Sequence, residues 1–210
     1  MRVLLTNPEV DTLTYYLSAW TNHVLKKIKA KNKYYHLKRE KVTREKFESF
    51  LTKRPIDLVL LCGHGGSNKV LGNDEVILDK NNGAILKDKV VHALSCQSAK
   101  VLGRDVVKNG AKAYIGYKED FIAFLDNSKR TSQPLSDDTA ALFLDAAFTV
   151  PKVLLRGGPP NEAVTAAKKE YDRSIRKAIN SDIQSDSDQF INWLYWDRDN
   201  LVNIEQTKSV

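Results

Sequence analysis

The sequence predicts an α/β fold, a single domain over residues 1–210 with a mostly parallel central sheet and helices on both faces. Short apolar runs alternate with amphipathic stretches along the chain, which is typical of repeated β–α units. Two of the runs, IDLVLLC at 56–62 and KVVHALS at 89–95, lack polar alternation, as strands covered on both faces do. No internal repeat and no linker divides the chain into two domains.

The first half of the chain predicts three strands and two helices. Residues 2–6 are the first strand, and a helix capped by Asp11 or Thr12 runs to about Lys31. A second strand at 34–38, a helix at 43–54 and the buried strand at 56–62 follow. The sequence GHGGSN after Cys62 predicts a flexible loop, and 70–71 with 75–78 predict a small hairpin.

The second half predicts two more strands and four helices. The strand at 89–95 leads into a helix at 98–109, closed by Gly110, and the strand at 113–117 follows. Residues 126–138 are polar, contain Pro134 and lack periodicity, so they predict a loop. Three helices complete the chain, at 139–150, 160–181 and 186–204.

Composition excludes several classes of protein. The 42% of hydrophobic residues is ordinary for a packed domain and argues against disorder. Two cysteines cannot form a disulfide scaffold, and there is neither a long apolar run nor a signal-peptide core. We therefore expect a cytoplasmic protein with no membrane partner.

The net charge of +7 is concentrated in one block. Residues 26–54 hold twelve Lys and Arg against three Glu, a net of +9, which leaves −2 for the rest of the chain. Such a block can bind nucleic acid or an acidic partner, or it can be a solvated surface. No known nucleic-acid-binding motif accompanies it, so nucleic acid is not the expected partner.

Two polar segments follow the two buried strands and share one edge of the predicted sheet. His64 lies among glycines after the first strand, and Cys96 follows the second. Ligands bind at this edge of open α/β sheets. At a strand-to-helix junction, Cys96 is expected to favour the thiolate, and His64 can protonate a leaving amine. The glycines allow a main-chain N–H to face a developing oxyanion.

A zinc site made of Cys62, His64, His92 and Cys96 is the alternative that the residue types raise. His92 and Cys96 are four residues apart on an extended segment, hence about 13 Å apart at roughly 3.3 Å per residue. One ion cannot bind both, so we expect no metal and no cofactor, and His92 is interpreted as a core histidine.

The two segments, IDLVLLCGHGG and KVVHALSCQSAKVLGRDVVKNGAKAYIGY, resemble the His-Gly and Cys motif blocks of caspase-like (clan CD) cysteine peptidases, in particular the bacterial CHAT type. The stretch ALFLDAAFTVPKVLLRGGPPNEAVTAAKKEY is similar to the helical tail of CHAT domains. The resemblance covers about 56–175, and 2–54 fits the first β–α–β–α part. It implies a caspase-like hydrolase, a cysteine endopeptidase acting on protein substrates. Cys96 would be the nucleophile, His64 the catalytic histidine, and the N–H groups of Gly65 and Cys96 the oxyanion donors.

Substrate specificity is predicted from two acids that follow the strand at 113–117. Glu119 and Asp120 would wall the primary specificity pocket and select Arg or Lys. Relatives that cleave after basic residues often carry an Asp two residues before the cysteine, and here that residue is Leu94. A pocket for Leu or another uncharged residue is therefore the alternative.

Regulation is expected to come from outside this domain, because no sensor, repeat or pro-domain is evident. A separate activating protease, an inhibitor protein or dimerisation can each supply it. The loop at 126–138 resembles in position the processing linker of caspase-like enzymes, and Lys129 and Arg130 within it form a cleavable basic pair. A catalytically silent caspase-like module, acting as a protein-binding regulatory factor, is the alternative function.

Overall fold

The computed structural model describes residues 1–28, 31–126, 133–180 and 187–206, without the side chains of 187–189. The strands are β1 (Arg2–Asn7), β2 (Lys33–Lys38), β3 (Leu58–Cys62), β4 (Gly65–Gly66), β5 (Lys69–Leu71), β6 (Val76–Asp79), β7 (Val90–Leu94), β8 (Ala113–Tyr117) and β9 (Leu201–Glu205). The helices are α1 (Thr12–Lys27), α2 (Arg44–Lys53), α3 (Leu102–Lys108), α4 (Asp138–Ala147), α5 (Thr149–Leu155), α6 (Pro160–Ile179) and α7 (Ser187–Asn200).

The predicted α/β class and the mostly parallel sheet are confirmed. The central sheet has six strands in the order β2-β1-β3-β7-β8-β9, parallel except for β9, which pairs antiparallel with β8. A second sheet of three antiparallel strands, β4-β5-β6, lies in the connection between β3 and β7. That connection places the residues after Cys62 beside the carboxyl edge of the central sheet.

Two hydrophobic cores cover the two faces of the central sheet. Val3 and Leu5 of β1 pack in the core that contains residues of α1, α4, α5 and α6, whereas Leu4 packs with α2 and α3 on the other face. This alternation follows from the two-residue period of a strand, and it explains why β3 is apolar throughout. Helices therefore cover both faces, as predicted.

Five predicted elements differ from the structure. The helix expected at 98–109 begins only at Leu102, because residues 96–101 form turns in which Gln97 has a left-handed φ of 54°. The helix expected at 139–150 is divided between α4 and α5 at Phe148. Pro151 explains the division, because it has no N–H to donate to the carbonyl four residues earlier.

The C-terminal helix expected at 186–204 is likewise divided, since α7 ends at Asn200 and β9 begins at Leu201. Within β9, Leu201 and Val202 alternate between the two cores, which a strand requires and a helix does not. The predicted loop GHGGSN also contains a strand, β4. The first helix ends at Lys27 rather than near Lys31.

The predicted processing site, Lys129 and Arg130, lies outside the described residues. Of the predicted loop that contains it, residues 134–136 form a 3-10 turn that precedes α4. Over the portion of the chain that is described, no helix has the length and apolarity needed to cross a bilayer.

Candidate active site

β3 and β7 end side by side, and each strand is followed directly by a turn. Cys62 of β3 pairs with Leu94 of β7, and the N–H of Gly63 donates to the Leu94 carbonyl at 3.3 Å. His64 therefore follows β3 at the level where Cys96 follows β7. This is the carboxyl edge at which the sequence predicts a site.

Gly65 is where the two turns touch. A Cβ on Gly65 would lie 2.0 Å from Ser95 Oγ, 2.9 Å from the Lys69 carbonyl oxygen and 3.3 Å from the Cys96 carbonyl oxygen. Only glycine fits such an approach without displacing its neighbours. The segment that carries His64 is thus packed directly against the segment that carries Cys96.

The His64 ring is held by an acid that the sequence analysis did not place in the site. Its Nε2 lies 2.6 Å from Asp11 Oδ2, while Asp11 Oδ1 accepts hydrogen bonds from the N–H and hydroxyl of Thr14 and caps α1. Burial raises the pKa of Asp11, but the hydrogen bonds from Thr14 and His64 outweigh it, so this pKa is below its ordinary value. An ionised Asp11 accepts a hydrogen bond from the Nε2–H of His64, and in the neutral ring this tautomer leaves Nδ1 without a proton.

Asp11 could have been found by the same reasoning that found His64. It lies four residues beyond the end of β1, and β1 is the parallel neighbour of β3 in the sheet. The carboxyl ends of these two strands meet at one edge, so a polar residue soon after β1 is a candidate for contact with the loop after β3.

The Cys96 thiol is half-buried and faces a main-chain carbonyl. Its Sγ lies 3.8 Å from the carbonyl oxygen of Phe121, and no described residue joins it to His64 by a hydrogen bond. Burial raises the pKa of the Cys96 thiol; the Phe121 hydrogen bond opposes this effect, and Asp120 and Asp197 add to it. The expectation that a helix N-terminus favours the thiolate is wrong, because α3 begins six residues later, at Leu102.

The two predicted oxyanion donors both have an N–H that is free of the neighbouring strand. The N–H of Leu71 donates to the His64 carbonyl, so the next pair in the antiparallel ladder, Gly65 with Val70, is of the type without mutual hydrogen bonds. The N–H of Cys96 has no acceptor among the described residues. Within the described chain, the β4–β5 pairing uses neither N–H.

Glu119 and Asp120 lie beside the Cys96 turn, but both have partners. Glu119 forms an ion pair with Lys100 at 2.9 Å, and Asp120 accepts a hydrogen bond from the Gln97 side chain at 3.0 Å. Asp120 also acts on the thiol, because its carboxylate is one of the groups that raise the pKa of Cys96. Asp120 is exposed and Glu119 is half-buried.

A third acid, Asp197 of α7, lies near Cys96 but is shielded from water. Its side chain is 0% exposed, and it contributes to the raised pKa of Cys96. Burial raises the pKa of Asp197 itself well above the ordinary range. No sequence signal marked it, because a single Asp within a predicted helix is usually solvated.

The other cysteine and the core histidine lie deeper in the sheet. Burial raises the pKa of the Cys62 thiol to about 12, and burial lowers the pKa of His92 to about 3. Both side chains line a small internal cavity between the sheet and helices α1 and α5. Within the described ranges, no group of three or more metal-ligating side chains is brought together.

Comparison of the chain with protein families, with curated proteins and with solved structures finds no match.

Proposed function

We propose that the protein is a cysteine endopeptidase in which Cys96 is the nucleophile and His64 is the general base and acid. The observation that carries this proposal is the packing of the Gly65 segment against the Ser95–Cys96 turn, with His64 oriented by Asp11. The adjacent segments thus carry the three groups that activation of a thiol requires: a nucleophile, a base and a carboxylate that orients the base.

The raised pKa of Cys96 decides how the thiol is activated. At neutral pH the free thiol keeps its proton, so His64 Nδ1 takes that proton as Sγ attacks the substrate carbonyl carbon. The Cys96–carbonyl bond forms, and the carbonyl oxygen becomes an oxyanion that the N–H groups of Gly65 and Cys96 stabilise. His64 then gives the proton to the leaving amine as the C–N bond breaks, which leaves a thioester. His64 deprotonates a water molecule that attacks this thioester, the C–S bond breaks, and the proton returns to the Cys96 sulfur.

For this transfer, the Cys96 side chain must turn from the Phe121 carbonyl towards His64. Substrate binding, a partner protein or cleavage by a separate protease can each supply the change, consistent with control by an activator or an inhibitor protein. The same observation favours a second candidate, a catalytically silent caspase-like module, in which the thiol stays on Phe121.

The test is peptide cleavage by the wild-type protein and three variants, using a peptide library with products identified by mass spectrometry. Cys96→Ala and His64→Ala should each abolish cleavage without changing the circular dichroism spectrum. Cys62→Ala is the matched control and should retain cleavage, since this thiol is buried away from the site. Cleavage that survives Cys96→Ala, or no cleavage by the wild type with or without limited proteolysis, contradicts the peptidase function.

A further inference from the structure

Asp197 has one carboxyl oxygen that no group of the described chain satisfies. Oδ1 accepts a hydrogen bond from the N–H of Ile122 at 3.0 Å, whereas Oδ2 is buried without a partner. Buried polar atoms in native proteins almost always have partners, and an exception requires an explanation. A partner that arrives from outside the chain is one such explanation.

A single peptide group separates this carboxyl from the nucleophile. The carbonyl of the Phe121–Ile122 peptide faces Cys96 Sγ at 3.8 Å, and the N–H of the same peptide faces Asp197 Oδ1 at 3.0 Å. With the bond lengths of a peptide group, the thiol and the carboxyl oxygen lie no more than about 9 Å apart. A long side chain can span this separation when it belongs to the substrate residue whose carbonyl carbon Cys96 attacks.

The space around Asp197 is polar as well as buried. The hydroxyls of Tyr117 and Tyr171 are hydrogen-bonded to each other at 2.8 Å, and both side chains are 0% exposed. Both lie near enough to Asp197 for it to affect their ionisation. The buried interior near Asp197 therefore contains polar groups as well as apolar ones, and the free Oδ2 is an acceptor for a donor-rich head group.

The exposed acids beside the site are less suited to selecting a charged substrate. Glu119 is already paired with Lys100, and Asp120 is exposed and bonded to Gln97. Carboxylates in contact with water discriminate weakly between charged and neutral partners, whereas a desolvated carboxylate discriminates strongly. Burial favours the protonated form of Asp197 when no cation is present, and an arriving cation favours the ionised form, so only a cationic side chain gains an ion pair there.

From these contacts we infer that Asp197 is the specificity-determining acid, and that its Oδ2 binds the cationic side chain of an Arg or Lys residue immediately before the scissile bond. The inference rests on the proposed peptidase function. To admit that side chain, the Phe121–Ile122 peptide turns aside. This movement removes both the carbonyl that faces the Cys96 thiol and the N–H that faces Asp197 Oδ1, and the cationic head group takes the place of that N–H as donor to the carboxyl. Entry of the correct side chain therefore releases the thiol, and a basic substrate promotes the active arrangement of Cys96.

The experiment measures kcat/KM for four fluorogenic peptide amides that differ only in the residue before the scissile bond: Arg, Lys, Gln or Leu. The wild type should prefer Arg and Lys to Gln by about 100-fold or more. Asp197→Asn keeps an acceptor for the Ile122 N–H and should reduce this preference to below about tenfold, measured as the ratio of kcat/KM between the Arg and Gln peptides. Asp199→Asn is the matched control, because Asp199 lies on the same helix in an exposed ion pair with Arg198.

Several outcomes overturn the inference. A wild type without preference for Arg or Lys does so, and so does an Asp197→Asn variant that loses activity on all four peptides equally. A preference that disappears in Asp120→Asn or Glu119→Gln but survives Asp197→Asn assigns the selection to the surface acids. If Asp197→Asn does not fold, Asp197→Glu should shift the preference from Arg towards the shorter Lys, and an unchanged ratio counts against Asp197. Cys96-dependent cleavage without cation preference overturns only this inference, whereas the absence of Cys96-dependent cleavage overturns the proposed function as well.

Discussion

Replacement of Gly65 by alanine tests whether the His64 and Cys96 segments are packed as described. The added methyl would lie 2.0 Å from Ser95 Oγ and 2.9 Å from the Lys69 carbonyl oxygen. The hydroxyl can rotate away, but the carbonyl belongs to the main chain of β5, so the segment must move. Forced overpacking of this kind costs about 1–3 kcal/mol in the free energy of unfolding.

Gly66 is the matched control, because an alanine there has no atom within 4 Å of its Cβ. Gly66→Ala should stabilise the fold by about 0.4–1 kcal/mol, since it reduces the entropy of the unfolded chain. The two variants should therefore differ by about 1.5–4 kcal/mol in urea unfolding. Ser95→Ala, which removes one of the two short contacts, should recover part of the loss in Gly65→Ala.

Peptide cleavage should follow the same order. A shift of about 1 Å in the segment that carries His64 is enough to lower kcat/KM by roughly 100-fold, whereas Gly66→Ala should retain more of the wild-type rate. Equal stability and equal activity of Gly65→Ala and Gly66→Ala would refute the packing of the two turns on which the site depends.

Three further predictions concern the orienting acid, the thiols and the processing loop. Asp11→Asn should lower kcat/KM by roughly 100-fold or more, because an amide at this position favours the wrong tautomer of His64, and equal activity of this variant and the wild type would contradict the orienting role of Asp11. Asp11→Ala should also lower the free energy of unfolding, because it removes the N-cap of α1. Iodoacetamide should modify Cys96 before Cys62 in the folded protein, as measured by mass spectrometry of each residue, and Cys62 reacting first would contradict this. The pH at which the rate reaches half its maximum should be higher for each thiol in the folded protein than in the unfolded chain, because burial raises the pKa of both. A variant with Lys129→Ala and Arg130→Ala should stay intact and fail to gain activity with time, and full activity of the intact variant from the first minute excludes activation there.

Most of the sheet could be predicted from sequence because its strands carry local signals. β3 and β7 are apolar runs, and the loops that follow contain the polar residues that a functional edge requires. The helix boundaries near the site were harder to predict from the sequence. The start of α3 depends on the left-handed turn at Gln97, and β9 depends on pairing with β8, a contact between distant parts of the chain.

The residues of the candidate site divide in the same way. His64 and Cys96 follow predicted strands, so their common edge was predictable, and Asp11 could have been added by extending the argument to β1. Asp197 was not predictable, because only the packing of α7 against the residues after β8 buries it. The raised pKa of Cys96 was missed for the same reason, since burial, and not a helix terminus, dominates it.

The most direct test of the proposed active site is to identify the residue that a peptidyl acyloxymethyl ketone modifies. In this reaction the Cys96 thiol displaces the carboxylate leaving group of the probe and forms a stable thioether, which peptide mapping by mass spectrometry locates. We predict modification at Cys96 alone, lost on unfolding in urea and reduced at least tenfold by His64→Ala. Modification at Cys62, or modification of Cys96 at the same rate in folded, unfolded and His64→Ala protein, would contradict the proposed active site.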